Sequence, residues 1–346
     1  MTKDRAQRRQ LMPDGAERVR CAFYTVANAR HFIGVVALLN SLRLAGHTEP
    51  IRLMDAGLTD EQRTLLANHV ELLPAPLDVP AVHLAPYGPL QRPAHVQVLL
   101  DADIIVIRSL EELITAGLRG TAVGFVNDPP NHDRFFAGWE SALALGPLRR
   151  RPYLNAGQFV IPGSLNDRLL EPWIDGQHHV GMLGTRYGRA RLSDAFYFAD
   201  QDVVNAVLAA YLDDSEIVIM EHRLAPHPPF AGLRLQDALH QDCRYSDGVS
   251  PFFLHHTMGK PWLQATRRNV YSALLPRLLL ADDVALQLEP TTLPVRIRNG
   301  LLAVADRQRA DLQALVLAGT RRQLGRFGIR TRLAAATTRR SGTKAR

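Results

Sequence analysis

The sequence predicts an α/β fold with a mostly parallel central sheet flanked by helices. Three observations predict it. Apolar, β-rich runs alternate with segments of helical periodicity; glycines and capping patterns punctuate them; and 346 residues at 46% hydrophobic content are enough for one large domain or two smaller ones.

Residues 19–27 are apolar and β-rich, a buried strand, and Asn28, Ala29 and Arg30 form the loop after it. Residues 34–45 place Val35, Leu38, Leu39 and Leu42 at helical spacing, with Gly46 as a stop. Residues 51–55 are a second strand. Thr59 to Gln62 is a capping box opening a helix. Residues 74–93 are proline-rich and irregular. A strand over 96–100 leads into Asp101-Ala102-Asp103, and 104–107 is apolar again. Ser109 to Glu112 reads as another capping box, and 121–126 as a strand. The long polar segment 127–151 suits a lid or acceptor loop. A strand over 159–161 follows Asn155-Ala156-Gly157. Residues 201–212 are helical with Asp200 as cap, and short strands fall at 216–220 and 252–254. Beyond Trp262 the pattern is helical and basic.

Two cysteines, Cys21 and Cys243, exclude a disulfide framework and a cysteine-rich zinc site. Residues 1–20 are polar and arginine-rich, without the apolar stretch of a signal peptide. The nearest approach to a membrane span, 272–288, is broken by Arg277, Asp282 and Asp283. A soluble, cytoplasmic protein is expected. Residues 266–346 carry 16 Lys+Arg against five Asp+Glu, so this part holds all the excess of a chain whose net charge is +7. Its leucines and valines, among them Leu301, Leu312 and Leu315, interleave with arginines as in an interfacial helix, which points to an anionic membrane surface. A solvated basic helix pair explains the same residues. Nucleic acid is not expected, because no aromatic residues interleave the arginines.

Three segments offer chemistry. Asp101 and Asp103 follow a buried strand, and paired carboxylates suit Mg²⁺ or Mn²⁺ bridging to a diphosphate. A solvated turn is the plainer reading. Asp200-Gln201-Asp202 opens a helix, where acids also serve simply as caps. Residues 253–262 combine two histidines with Gly259, Lys260 and Trp262. A histidine after a strand can ligate metal, and a lysine beside a glycine can meet a phosphate. Lys260 is the only lysine away from the chain ends, against 38 arginines, which suggests a need for a compact charge.

Taken in order, these segments resemble the retaining glycosyltransferases of family 8, which include glycogenin and bacterial lipopolysaccharide galactosyl- and glucosyltransferases. The matching residues are Tyr24 to Asn28, Leu53 to Thr59, Leu100 to Asp103, Leu154 to Gly157, Asp200 to Asn205 and His256 to Trp262. The resemblance implies a GT-A fold, a nucleotide-sugar donor of the UDP type, Mn²⁺ (or Mg²⁺) and retention at the anomeric carbon. It implies that Asp101, Asp103 and His256 hold the metal, and that Thr25 and Asn28 lie at the nucleoside. It further implies that Ala102 lines the donor site and that Asn155, Ala156 and Gly157 face the donor sugar. Asp200 and Gln201 would lie beside the anomeric centre, and Gly259 and Lys260 at the diphosphate.

Three departures stand out. Val26 occupies the position where many members carry an aspartate available to uracil. Gly259 and Lys260 are adjacent rather than separated, so His255 can replace His256. No motif matches residues 127–151, where acceptor specificity is expected to reside. The acceptor is a glycan, a lipid-linked sugar or a protein. The expected domains are a polar extension over 1–19, a catalytic domain over 20–265 and a basic helical extension over 266–346 with a disordered end. Two other readings remain: a degenerate fold acting as a scaffold, and a phosphatase of the haloacid dehalogenase type, whose Gly-Thr after the aspartates is here Ile104-Ile105.

Overall fold

A computed structural model describes residues 18–257 and 259–326. The strands are β1 (Cys21–Ala27), β2 (Ile51–Asp55), β3 (Glu71–Pro74), β4 (Val96–Leu100), β5 (Ile104–Val106), β6 (Ala122–Val126), β7 (Leu154–Pro162), β8 (Ile217–Met220), β9 (Arg234–Asp237), β10 (Asp242–Arg244) and β11 (Phe253–His255). The helices are α1 (Phe32–Leu44), α2 (Asp60–Leu66), α3 (Tyr87–Gln91), α4 (Glu111–Leu118), α5 (Gly138–Ala142), α6 (Asn166–Val180), α7 (Asp200–Tyr211), α8 (Val270–Leu280) and α9 (Leu301–Arg326).

Seven strands form one sheet in the order β3-β2-β1-β4-β7-β6-β8. Only β7 runs against the others, pairing antiparallel with both β4 and β6. Alternate residues feed opposite faces. Phe23, Val98 and Val160 enter one core, while Tyr24, Leu99 and Phe159 enter the other. Both faces are thus covered by helices, which explains why the central strands read as continuous apolar runs.

The capping box at α2 forms as expected, with Thr59 and Gln62 reciprocally bonded. The one expected at Ser109 does not; Leu110 occupies the N-cap without a side-chain cap. The Asn-Ala-Gly element is not a loop before a strand but the beginning of β7 itself. Helix α6 has no counterpart in the sequence reading, because Pro172 and Gly176 interrupt its pattern. Segment 127–151 is braced rather than loose. Arg134 grips the fully buried Asp202 through Nε and Nη2, at 2.6 and 2.9 Å, and Tyr153 Oη donates to the same carboxylate at 2.7 Å. Residues following 265 also build the main core: Tyr271, Leu274, Leu278, Leu286 and Ile297 are buried in the cluster that holds Val35 and Ile105. Among the described residues, no helix is long and apolar enough to cross a membrane. The disordered end expected for the extension, and the expected 1–19 extension save residues 18 and 19, lie outside the described residues.

Candidate active site

Strand order dictates where the chemistry collects. In α/β sheets ligands bind outside the carboxyl ends of the parallel strands. Here β1 ends at Ala27 and β4 at Leu100, while β7, running oppositely, begins beside the end of β4, with Gln158 opposite Leu100. Asn28, Asp101 and Asn155 to Gly157 therefore meet at one edge. They line an open cleft of about 620 Å³, together with Ala102, Asp103, Asp200, Gln201 and Lys260.

Asp101, Ala102 and Asp103 make a tight turn closed by Ile104 N donating to Asp101 O at 3.1 Å. Gly157 O accepts from Asp101 N at 2.8 Å, tying that turn to β7. His255, at the end of β11, aims Nε2 between the two carboxylates, 3.4 Å from Asp101 and 3.2 Å from Asp103. One ligand atom from each of the three lies within 4.8 Å of the others. Lys260 Nζ donates to the Asp103 carboxylate and, at 2.6 Å, to His256 O.

Electrostatics follow from burial and pairing. Burial alone would push Asp103 up, but Lys260 and His255 hold it well below the usual carboxylate range. Burial would likewise lower His255, yet Asp103 and Asp101 together raise it to about 9. Asp200 behaves oppositely: burial, reinforced by the Asp101 charge, raises it to about 8.

These residues fit a divalent cation. The donor set is two carboxylates and an imidazole, suited to Mn²⁺ or Mg²⁺. The buried Asp103 Oδ1 makes no well-formed hydrogen bond among the described residues. A Cβ on Gly157 would sit 2.3 Å from His255 Cε1 and 2.6 Å from Asp101 Oδ2. Glycine is what leaves this space open.

Three expected site residues do not line this cleft. His256, one residue past the end of β11, turns its ring away from the aspartates. Its ring packs on Tyr271 and Phe230, with centroids 5.0 and 6.1 Å apart. Thr25 lines a much smaller pocket of about 10 Å³ beneath the cleft. Gly259 does not line the cleft. Asp200 is the first residue of α7 rather than its cap; Ala199 holds the cap position at φ +55°, and the Asp200 side chain turns to the cleft.

The neighbours stiffen the site. Gln201 Oε1 accepts from Ala156 N at 3.1 Å, and Asn205 bonds both the N–H and the carbonyl of Leu154 at 2.8 Å. Helix α7 is thereby stitched to β7. Trp262 Nε1 donates to Arg30 O at 2.8 Å, anchoring the Lys260 segment beside α1. Gly34 permits that contact, since a Cβ there would lie 2.8 Å from Trp262 Cη2. His31, Asn127, Arg186, Phe198 and His227 also line the cleft. They come from segments without periodicity or motif, and no sequence signal marks them.

No protein-family model matches this chain, and no curated protein sequence does. Solved structures do. The glycosyltransferase GlyE of Streptococcus pneumoniae superposes with a TM-score of 0.50 at 13% identity, over 77% of this chain and 61% of that one. The galactosyltransferase LgtC, solved with donor and acceptor sugar analogs, gives 0.49 at 16% identity, over 76% of this chain and 98% of its own. The bifunctional glycosyltransferase WbbM gives 0.49 at 15%, over 77% and 50%. The fold is GT-A. The mixed, mostly parallel seven-stranded sheet flanked by helices matches the glycosyltransferase fold of GlyE.

Proposed function

We propose that the protein is a metal-dependent glycosyltransferase of the family 8 type. It moves a hexose from a nucleotide-sugar, most simply a UDP-sugar, to a glycan, lipid-linked or protein acceptor with retention of configuration. The observation that carries this reading is the convergence of Asp101, Asp103, His255 and Lys260 on the wall of one cleft that Gly157 keeps open. Mn²⁺ or Mg²⁺ held by Asp101, Asp103 and His255 would supply positive charge to the departing diphosphate. Lys260 adds a second cation at the same place, where charge develops as the sugar–phosphate bond breaks.

The polypeptide then has to orient. Asn28 places its amide at the mouth of the cleft, with Oδ1 already committed to Arg30 N and His31 Nδ1. Asn155 is fixed by Asn127 and by the Gly157 N–H, so its position does not depend on the sugar. Gln201 is a poor nucleophile, and burial disfavours the charged form of Asp200. Both favour attack by the acceptor hydroxyl from the face the diphosphate leaves, with Asp200 and Gln201 holding the sugar beside it.

A membrane partner has its own support. On α9, Ala303 and Ala310 are buried, whereas Leu301, Leu312, Leu315 and Val316 on the opposite side are 51–88% exposed. An outward apolar stripe in a strongly basic segment suits the surface of an anionic bilayer, and a peripheral membrane location.

Incubating the protein with Mn²⁺ and a panel of nucleotide-sugars, and following release of nucleoside diphosphate, tests the reading. Release from one donor class, with an α-linked product from an α-linked donor by NMR, is expected. Inverted product would overturn retention. No release with any donor or acceptor, and no nucleotide binding, would leave the scaffold reading.

A further inference from the structure

The turn-rich segment between α6 and α7 forms one rim of the cleft, contributing Met182, Arg186 and Tyr187 next to Asp200 and Gln201. It is built, not loose. Thr185 is fully buried; its Oγ1 donates to Met182 O at 2.8 Å, and its carbonyl accepts from Gly188 N at 2.9 Å. Arg186 N donates to Tyr197 O at 2.8 Å. Farther along, Arg134 donates to Leu192 O and Asp194 O, and Trp139 Nε1 to Ala195 O, at 2.6 to 2.8 Å.

Arg186 lines the cleft, and Arg189 and Arg191 follow it on the same segment outside the lining, all three exposed. Arginines elsewhere pair off, as Arg63 with Asp55, Arg168 with Glu216 and Arg223 with Asp247. Among the described residues, no carboxylate lies within ion-pair distance of any of the three rim arginines. The Arg186 guanidinium stacks over the Tyr187 and Phe198 rings, 5.0 and 5.9 Å from their centroids, and spends one N–H on Tyr187 Oη at 2.9 Å. A guanidinium that rests over rings and spends one N–H keeps others for an oxyanion. Tyr187 is 51% exposed and Leu183 79%, so apolar surface flanks the charge. Lys260 already serves the diphosphate, and Arg186 adds a second cation to the lining, with Arg189 and Arg191 just outside it.

We infer that the acceptor is an anionic glycan, bearing phosphate or carboxylate groups, held by Arg186, Arg189 and Arg191. This rests on the transferase reading above. The rim's cations draw the acceptor to the side of the cleft where Asp200 and Gln201 lie. Its exposed apolar residues cover the sugar rings between the charges.

The test is calorimetric titration of the full chain, saturated with UDP and Mn²⁺, with three probes: maltose, maltose phosphorylated on one primary hydroxyl, and the disaccharide carrying glucuronic acid in place of one glucose. Anionic probes are expected to bind at least about tenfold more tightly than maltose, a difference of about 1.4 kcal/mol. The preference should shrink as salt rises from about 50 to 500 mM. It should fall to within about twofold in Arg186→Ala and in the Arg189→Ala/Arg191→Ala double variant. Whether the phosphate or the uronic probe binds better identifies the anion. Equal binding of neutral and anionic probes, no binding of any probe, or a preference that survives in the variants would overturn the inference. So would loss of UDP binding in the double variant, which would assign the rim to the donor. Absence of UDP binding in wild type is a different failure, that of the transferase reading itself.

Discussion

His255 and His256 are neighbours in sequence with opposite surroundings: one ring lies between two carboxylates, the other on Tyr271 and Phe230. The two substitutions should therefore separate cleanly. His255→Ala is expected to weaken Mn²⁺ binding, read by quenching or calorimetry, with little change in melting temperature. His256→Ala should keep the metal and cost about 2 kcal/mol of stability in denaturant melts. Asp101, Asp103 and Lys260 were legible from residue type and order alone. The choice of histidine was not, because the residue at which β11 ends sets which side chain faces the aspartates, and strand ends are the least certain feature of a sequence. Asp200 gives a pH prediction. Its folded value of about 8 lies above the ordinary carboxyl value of about 4, so the folded state binds the proton more tightly. Its contribution is present below pH about 4 and is lost as pH rises through about 8. Asp200→Asn, neutral throughout, should gain melting temperature relative to wild type across that window and not below it. An offset that does not vary with pH would contradict the assignment.

Among the elements, α7 is the hub. Asp202 anchors Arg134, Tyr153 and the Phe198 N–H, while Asn205 is stitched to β7. Removing the cation from the fully buried Asp202 leaves an uncompensated charge, so Arg134→Ala should cost about 3–5 kcal/mol in chemical denaturation. A loss below about 1 kcal/mol would mean that water reaches Asp202. The helical period and the acidic start of α7 were readable in sequence. Its brace was not, since Arg134 lies 68 residues away in a segment without pattern. Helix α6 was hidden by Pro172 and Gly176, tolerated because the helix buries Leu169, Leu170 and Trp173 in the core and Gly176 leaves room for Val203 of α7. The two capping-box patterns show the limit of local signals: the one at Thr59 forms, and the one at Ser109 yields to the packing of Leu110 into the core.

At the scale of the whole molecule, the alternation of strands and helices was enough to foresee a mostly parallel sheet. The antiparallel β7 could not be foreseen, because pairing partners far apart in sequence are set by packing and not by period. That inversion is what carries Asn155 to Gly157 to the end of β4 and completes the cleft. The basic segment has two characters: residues 270–297 pack into the core, and α9 turns Leu301, Leu302, Leu312 and Leu315 outward. Replacing Leu312 and Leu315 by Glu should reduce flotation with anionic vesicles several-fold while leaving neutral vesicles unbound. Unchanged flotation would remove α9 from membrane contact. The most direct test of the central claim is calorimetric binding of UDP, with and without Mn²⁺, to wild type and to Asp103→Ala. Binding is expected to require the metal and to fall at least about 100-fold in the variant. Metal-independent binding, or equal affinity in both proteins, would contradict it.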